Sequence, residues 1–240
     1  MKSRLLDSLL TSCLSVATPF RCPVCGKPPF DGTPGMFCAD CLKSLPFVTP
    51  PFCPGCGGPM DGILDVCPKC LRQPHRPWKR AFSLFRMEGN ARLAVMMLKY
   101  RGRPEFARSI GRLLGDRLKR ELPHPVDMIV PVPLHWTRFV QRGYNQADLI
   151  CQGISAELGA PVVRALRRTR RTRQQAHLSR KDRILNLKGA FSPTDSKKSE
   201  RRAILIVDDV LTTGATLASA ANALLDAGAA EVYAASAARR

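Results

Sequence analysis

Aromatic residues make up only 6% of this 240-residue chain, with two tryptophans and three tyrosines. A surface that stacks successive nucleobases depends on such rings, so the composition offers no evident stacking platform. Acids are scarce as well: 19 Asp and Glu stand against 38 Lys and Arg, a formal net charge of +19. That imbalance favours polyanionic partners, whether nucleic acid, phosphates or an acidic membrane surface. The plainer alternative is a basic, solvated exterior. No apolar run approaches the ~20 residues a membrane span requires. Neither GxxxxGK nor GxGxxG occurs, so the Walker-type and dinucleotide-type phosphate loops are both missing.

Cysteine, by contrast, is abundant. Eight of the ten fall into C-x-x-C pairs, Cys22/Cys25, Cys38/Cys41, Cys53/Cys56 and Cys67/Cys70, all in the first third of the chain. Two thiolates three residues apart can share one tetrahedral Zn2+ at about 2.3 Å from each sulfur. Gly26 and Gly57 follow two of the pairs and suit the tight turn beneath a metal. "CPVCG" and "CPGCG" have the form of zinc knuckles, and "CADC" and "CPKC" supply the second halves. Four cysteines per site leave no open coordination position, which favours a structural role. A redox C-x-x-C would need a thioredoxin-like context that is missing. Sequential and interleaved pairing both stay open, and so does one zinc or two. Cys13 and Cys151 lie on apolar helical faces and are expected to be core residues.

Residues 1–20 resemble an export signal at first sight. Asp7 breaks the apolar run, however, and Leu5, Leu6, Leu9, Leu10, Cys13, Leu14 and Ala17 recur at helical spacing. A short amphipathic helix and a cytoplasmic location are expected. Residues 21–72, rich in Cys, Pro and Gly, cannot form a large core unaided and need a staple. Residues 73–79, "QPHRPWK", form a linker. From residue 80 strands and helices alternate: a strand in "RAFSLFRM", helices over 89–102 and 104–122, and a strand over 126–134 that stops at two prolines. A helix capped by Asn145 follows, then a strand ending in "ILIVDD", a helix over 215–227 stopped by Gly228, and a strand "EVYAASA". Such alternation predicts an α/β fold, a mostly parallel sheet with flanking helices. Within it residues 161–190 hold ten Arg and Lys against one acid, Asp182.

The densest chemistry lies in "ILIVDDVLTTGATL", residues 204–217. The strand brings Asp208 and Asp209 to the end of a parallel sheet, where ligands bind in such folds. Thr212, Thr213, Gly214, Ala215 and Thr216 then turn into a helix whose first amides and dipole suit a phosphate. Carboxylates beside a phosphate make sense if they face a neutral diol with a divalent cation close by. A ribose 5-phosphate has that layout. The plain alternative is a capped helix after a buried strand.

"VDDVLTTGAT" resembles the phosphoribosyl-pyrophosphate (PRPP) motif of type I phosphoribosyltransferases. The chain as a whole resembles the ComF family, competence-associated proteins that place a zinc ribbon before a domain of this type. The matching pieces are the cysteine pairs, "LKYRGR" at 98–103, "VPVPL" at 130–134, "RGYNQA" at 142–147, "RTRQQAHLSRKDRILNLKGAF" at 171–191 and the PRPP motif. The resemblance implies a type I phosphoribosyltransferase fold over 80–240, preceded by a small Cys-rich double zinc ribbon. It implies Asp208 and Asp209 as the catalytic pair holding the ribose hydroxyls, and Val210 and Leu211 through Thr216 around the 5-phosphate. Pyrophosphate would lie at Pro131, Val132 and Pro133, near Lys99, Arg101 and Arg142. Mg2+ would bridge pyrophosphate and ribose rather than sit in a protein cage. The hood over the acceptor would be 161–190, where Gln174, Gln175, Arg180, Arg183 and Asn186 belong to the family pattern without an assigned task.

Two classes of function stay open. One is a phosphoribosyltransferase (a glycosyltransferase) that uses PRPP. The other is a non-catalytic factor that keeps the fold and binds single-stranded DNA or a protein such as a helicase-like DNA-uptake motor. The family resemblance favours DNA uptake in natural transformation. Many relatives of the fold are dimers, so a homodimer is open too.

Overall fold

A computed structural model of the chain describes residues 21–29, 37–72, 76–100, 104–169 and 189–240, with the backbone alone for residues 99 and 100. The expected helix over residues 1–20, together with Cys13, lies outside them.

Four parallel strands form the central sheet: β1 (Ala81–Arg86), β2 (Met128–Pro131), β5 (Ala203–Leu211) and β6 (Glu231–Arg239), in the order β1-β6-β5-β2. The apolar runs of β2 and β5 and the alanines of β6 suit strands buried on both faces. Successive side chains of β5 alternate between two cores. Leu205 and Val207 join the core under α4 (Pro104–Glu121) and α6 (Gln146–Leu158), with Phe106, Ile110, Leu114, Leu118, Ile150 and Ile154. Ile204 and Ile206 join the other core, with Leu217, Ala220, Ala221 and Leu224 of α7 (Ala215–Asp226). α3 (Gly89–Tyr100) runs from β1 toward α4.

The expected strand–helix alternation is present, with three differences. β5 continues to Leu211 rather than stopping at the aspartates, because Asp208, Val210 and Leu211 still pair with Ser236, Ala238 and Arg239 of β6. A short helix α5 (Trp136–Arg142) follows "VPVPL"; His135 caps it, its ring accepting from the Thr137 amide, and Gly143 ends it at φ 77°. Its outer face is apolar and exposed, so it lacks the buried stripe that reveals a helix in sequence. Third, an antiparallel ladder of β3 (Leu166–Arg168) and β4 (Phe191–Pro193) packs Leu166 and Phe191 beside α7. Its three-residue strands are too short to show alternation.

The cysteine-rich segment lies along the outer edge of β1. The amides of Ala81 and Arg86 donate to the carbonyls of Pro54 and Pro46, and the Val48 amide donates to the Leu84 carbonyl. A sheet edge that would stand open is thereby covered. α1 (Ala39–Lys43) and α2 (Pro68–Leu71) each begin directly after a cysteine, Cys38 and Cys67. Buried Arg117 of α4 fastens the same edge: Nη1 donates to Val48 O at 2.9 Å and to Ser83 O at 2.7 Å, and Nε to Glu121 at 3.0 Å.

Candidate functional site

β2 and β5 are parallel neighbours, so their carboxyl ends lie side by side at one end of the sheet. Strand alternation sets Asp208 on the row of Ile204 and Ile206, and Asp209 on the opposite row. The Asp209 amide donates to the carboxylate of Asp208 at 2.8 Å. After Leu211 the chain turns through Thr212 and Thr213 to Gly214, which precedes α7 with φ 80° and ψ 2°. A β-carbon at Gly214 would run into the Arg76 guanidinium and the Trp78 ring. The positive φ favours glycine there, and any larger residue would also displace the Arg76 guanidinium. The Thr213 hydroxyl accepts from the Ala215 amide at 3.4 Å, an N-terminal helix contact.

The backbone of the turn is held from behind. Arg239 Nη1 donates to Leu211 O at 3.2 Å and to Thr212 O at 2.7 Å. Arg76 Nη1 donates to Thr213 O at 3.0 Å.

Pro131 ends β2 and Val132 is buried against β5, its amide donating to Val207 O at 2.9 Å. The "RGYNQA" stretch has a structural task here. Asn145 accepts from the Ala147 amide to cap α6, and its side-chain amide donates to Val132 O at 3.0 Å. Tyr144 Oη and Gln146 Nε2 both donate to the Leu98 carbonyl, at 2.6 Å and 3.0 Å. The turn at 131–133 and Leu98 near the end of α3 are thus both joined to the start of α6. Arg142 Nη1 reaches Gln146 Oε1 at 3.2 Å. The Lys99 side chain, Arg101, and Gln174, Gln175, Arg180, Arg183 and Asn186 lie outside the described residues.

Four arginines absent from the sequence expectations surround this region: Arg76, Arg138, Arg168 and Arg239. Burial pushes the Arg168 guanidinium down from its ordinary value and the like charge of Arg138 adds to this, while Asp208 pulls it up. Arg168 also lies 5.4 Å from the Phe191 ring centroid. None of the four sits in a local pattern that separates it from the chain's many other arginines. Arg239 does end an otherwise apolar strand, and that is a faint signal.

The eight paired cysteines form two groups, Cys22/Cys25/Cys38/Cys41 and Cys53/Cys56/Cys67/Cys70, with all sulfurs in each group within 4.8 Å of one another. Pairing is therefore sequential. The Cys25–Cys38 and Cys56–Cys67 sulfurs are 3.5 Å and 3.8 Å apart. Sulfurs at 2.3 Å from a tetrahedral centre stand about 3.8 Å apart, so both groups fit structural Zn2+. Gly26 and Gly57 take φ 76° and 61° in the turns after Cys25 and Cys56. A hydrogen bond from Cys70 and then the charge of Arg239 hold the Cys56 thiol down to about 4 despite burial. Burial pushes Cys22 up, but hydrogen bonds from the amides of Cys38, Cys25 and Val24 outweigh it and bring it to about 7. Cys151, fully buried on α6, is held well above the ordinary thiol value by desolvation, as a core residue should be. Among the described residues no helix is long and apolar enough to cross a membrane.

Comparison with known proteins matches residues 13–73 to a double zinc ribbon domain and residues 102–240 to a phosphoribosyl transferase domain. The chain is 40% identical to the DNA utilization protein YhgH of Salmonella typhi over 186 residues, 75% of this chain and 80% of that protein. It is 33% identical to competence protein F of Haemophilus influenzae over 202 residues, 81% of this chain and 86% of the other. With competence protein ComFC of Bacillus subtilis it shares 26% over 203 residues, 80% and 78% of the respective chains. A parallel sheet flanked by helices, a ribbon with two four-cysteine groups along its edge, and these matches together make the chain a member of the ComF family.

Proposed function

We propose that this chain binds PRPP with Mg2+ at the turn between β5 and α7, and that it acts in DNA uptake or in DNA-linked nucleotide metabolism. The observation that carries this reading is the run from paired carboxylates through a glycine turn into a helix start, at the same sheet end as the turn at Pro131, Val132 and Pro133. Asp208 and Asp209 accept hydrogen bonds from the ribose hydroxyls. The amides opening α7, with Thr212, Thr213 and Thr216, take the 5-phosphate. Arg142, with Lys99 and Arg101, meets the pyrophosphate. Mg2+, carried in with the pyrophosphate beside Asp208 and Asp209, would supply charge neutralisation on the leaving group. In the transfer, the bond from the anomeric carbon to the pyrophosphate oxygen breaks as the acceptor bonds to that carbon. The carboxylates stabilise the positive charge gathering on the ring. The acceptor side belongs to the hood at 161–190. The module boundaries that go with this reading are a ribbon over 21–72, a connector over 73–79 and a ligand-binding domain over 80–240. The competence and DNA-utilization names of the relatives support the role in DNA handling.

Calorimetric titration with PRPP and Mg2+ tests the reading. Wild type should bind, and Asp208→Asn with Asp209→Asn should lose at least roughly tenfold in affinity, about 1.4 kcal/mol. Equal affinity in both proteins would remove the assignment. The second reading, a non-catalytic DNA-binding factor, is favoured by α5, whose Trp136 and Phe139 are 70% and 49% exposed beside Arg138. Binding of a single-stranded oligonucleotide that weakens steeply with salt, with no pyrophosphate released from PRPP, would select it.

A further inference from the structure

We propose that Arg76 and Arg239 are positioning residues that tie the second cysteine group to the turn at 211–214, so that the metal in that group sets the turn's backbone. Three consecutive carbonyls, Leu211, Thr212 and Thr213, all accept from these two guanidiniums. Both arginines also face the sulfurs. Arg76 Nη2 donates to Cys70 Sγ at 3.8 Å, and the Arg239 side chain and the Cys56 sulfur both border Gly58. Trp78 braces the arrangement, with its ring centroid 5.2 Å from the Arg76 guanidinium and its Nε1 donating to Gly55 O at 3.0 Å. Gly55 itself lies between Cys53 and Cys56 in the knuckle.

The consequence follows from peptide geometry. In a planar trans peptide the C=O and the next N–H point in opposite directions. With the carbonyls of 211, 212 and 213 held toward the ribbon, the amides of Thr212, Thr213 and Gly214 are turned away from it. An array of parallel amides at a helix start is an anion cradle. Four thiolates around Zn2+ carry a net charge of about −2, which two guanidiniums balance while they reach past the metal to the carbonyls. The first cysteine group packs with Phe37, Leu45 and Phe106 in the other core. Among the described residues no hydrogen bond joins it to the turn. Among the described residues, the second group is the one joined to that turn, through Arg76. The effect on ligand affinity rests on the PRPP reading; the effect on the backbone does not.

Hydrogen–deuterium exchange on the full-length, zinc-loaded chain tests this. Arg76→Met keeps the aliphatic stem and all eight cysteines. It should retain wild-type zinc content and wild-type exchange in the core of β5 and β6, while amides 212–217 exchange roughly tenfold faster. Arg76→Lys should recover part of that protection. Cys70→Ser should release one zinc and loosen the same amides, whereas Cys25→Ser should loosen its own knuckle and not the turn. PRPP affinity should fall with turn protection in Arg76→Met. Wild-type exchange at 212–217 in Arg76→Met, or equal loosening by Cys25→Ser, overturns the proposal. A wild type that fails to bind PRPP would remove the ligand reading while the exchange comparison still decides the coupling.

Discussion

Asn145 shows how much one side chain in the family motif holds in place. It caps α6 through the Ala147 amide and satisfies the buried Val132 carbonyl in the turn after β2. Removing an Asn cap costs about 1 kcal/mol. Leaving a buried carbonyl unpaired adds about 1–3 kcal/mol. Asn145→Ala should therefore lower unfolding free energy by about 2–4 kcal/mol, measured by denaturant melts. Asn145→Asp keeps an acceptor for the cap but sets a carboxylate oxygen against the Val132 carbonyl in place of a donor, so it should not recover wild-type stability. An Asp or Ala variant as stable as wild type would mean that the bond to Val132 contributes nothing. Tyr144 and Gln146 act in a similar way on the Leu98 carbonyl. The polar residues of "RGYNQA" thus position neighbouring segments by binding their carbonyls.

At the scale of elements, α4 and α6 pack backbone against backbone, and the reason is the glycines at their crossing, Gly111, Gly115 and Gly153. A β-carbon at Gly111 would strike the Ile150 carbonyl, and one at Gly153 the Arg108 carbonyl and the Arg112 amide. In a solvated helix Gly→Ala gains up to about 1 kcal/mol. Here the sign should reverse, because backbone atoms cannot move aside as a flexible side chain would. Gly153→Ala is expected to cost about 1–3 kcal/mol of stability through overpacking. A thermal midpoint at or above wild type would contradict the packing described. The same crossing sets where α6 starts, and hence where Asn145 meets the turn after β2.

For the molecule as a whole, the ribbon is part of the fold rather than an appendage. Cys22, Cys38 and Cys41 share a core with Phe82, Phe106 and Leu205, while Cys53 and Cys56 share the other with Val130 and Ile206. Metal binding in such a site is folding free energy. Elemental analysis should give two zinc ions per chain. Chelation should lower the melting temperature of the whole chain in a single transition, followed by circular dichroism of the helices. A helical transition that stays at its original temperature after both metals leave would show that the sheet domain is independent of the ribbon.

Periodicity and spacing were enough to determine the α/β alternation, the metal-binding cysteines and the carboxylate-to-glycine turn, because each depends on residues within a few positions of one another. Asn145 as a helix cap and Cys151 as a core residue were legible for the same reason. Sequential pairing of the cysteine groups was not, since it depends on how separate knuckles meet in space. Nor was α5, which buries no face of its own, or the hairpin of β3 and β4, which is too short for a pattern. The roles of Arg76 and Arg239 lay furthest from the sequence. Arg76 is 137 residues from Thr213, whose carbonyl it holds. In a chain with 38 basic side chains, only packing separates the two that brace the turn from those that meet solvent. Local chemistry determined the cysteine groups and the carboxylate-to-glycine run; the sheet edge on which the ribbon rests decided that the second cysteine group stands behind the turn at 211–214.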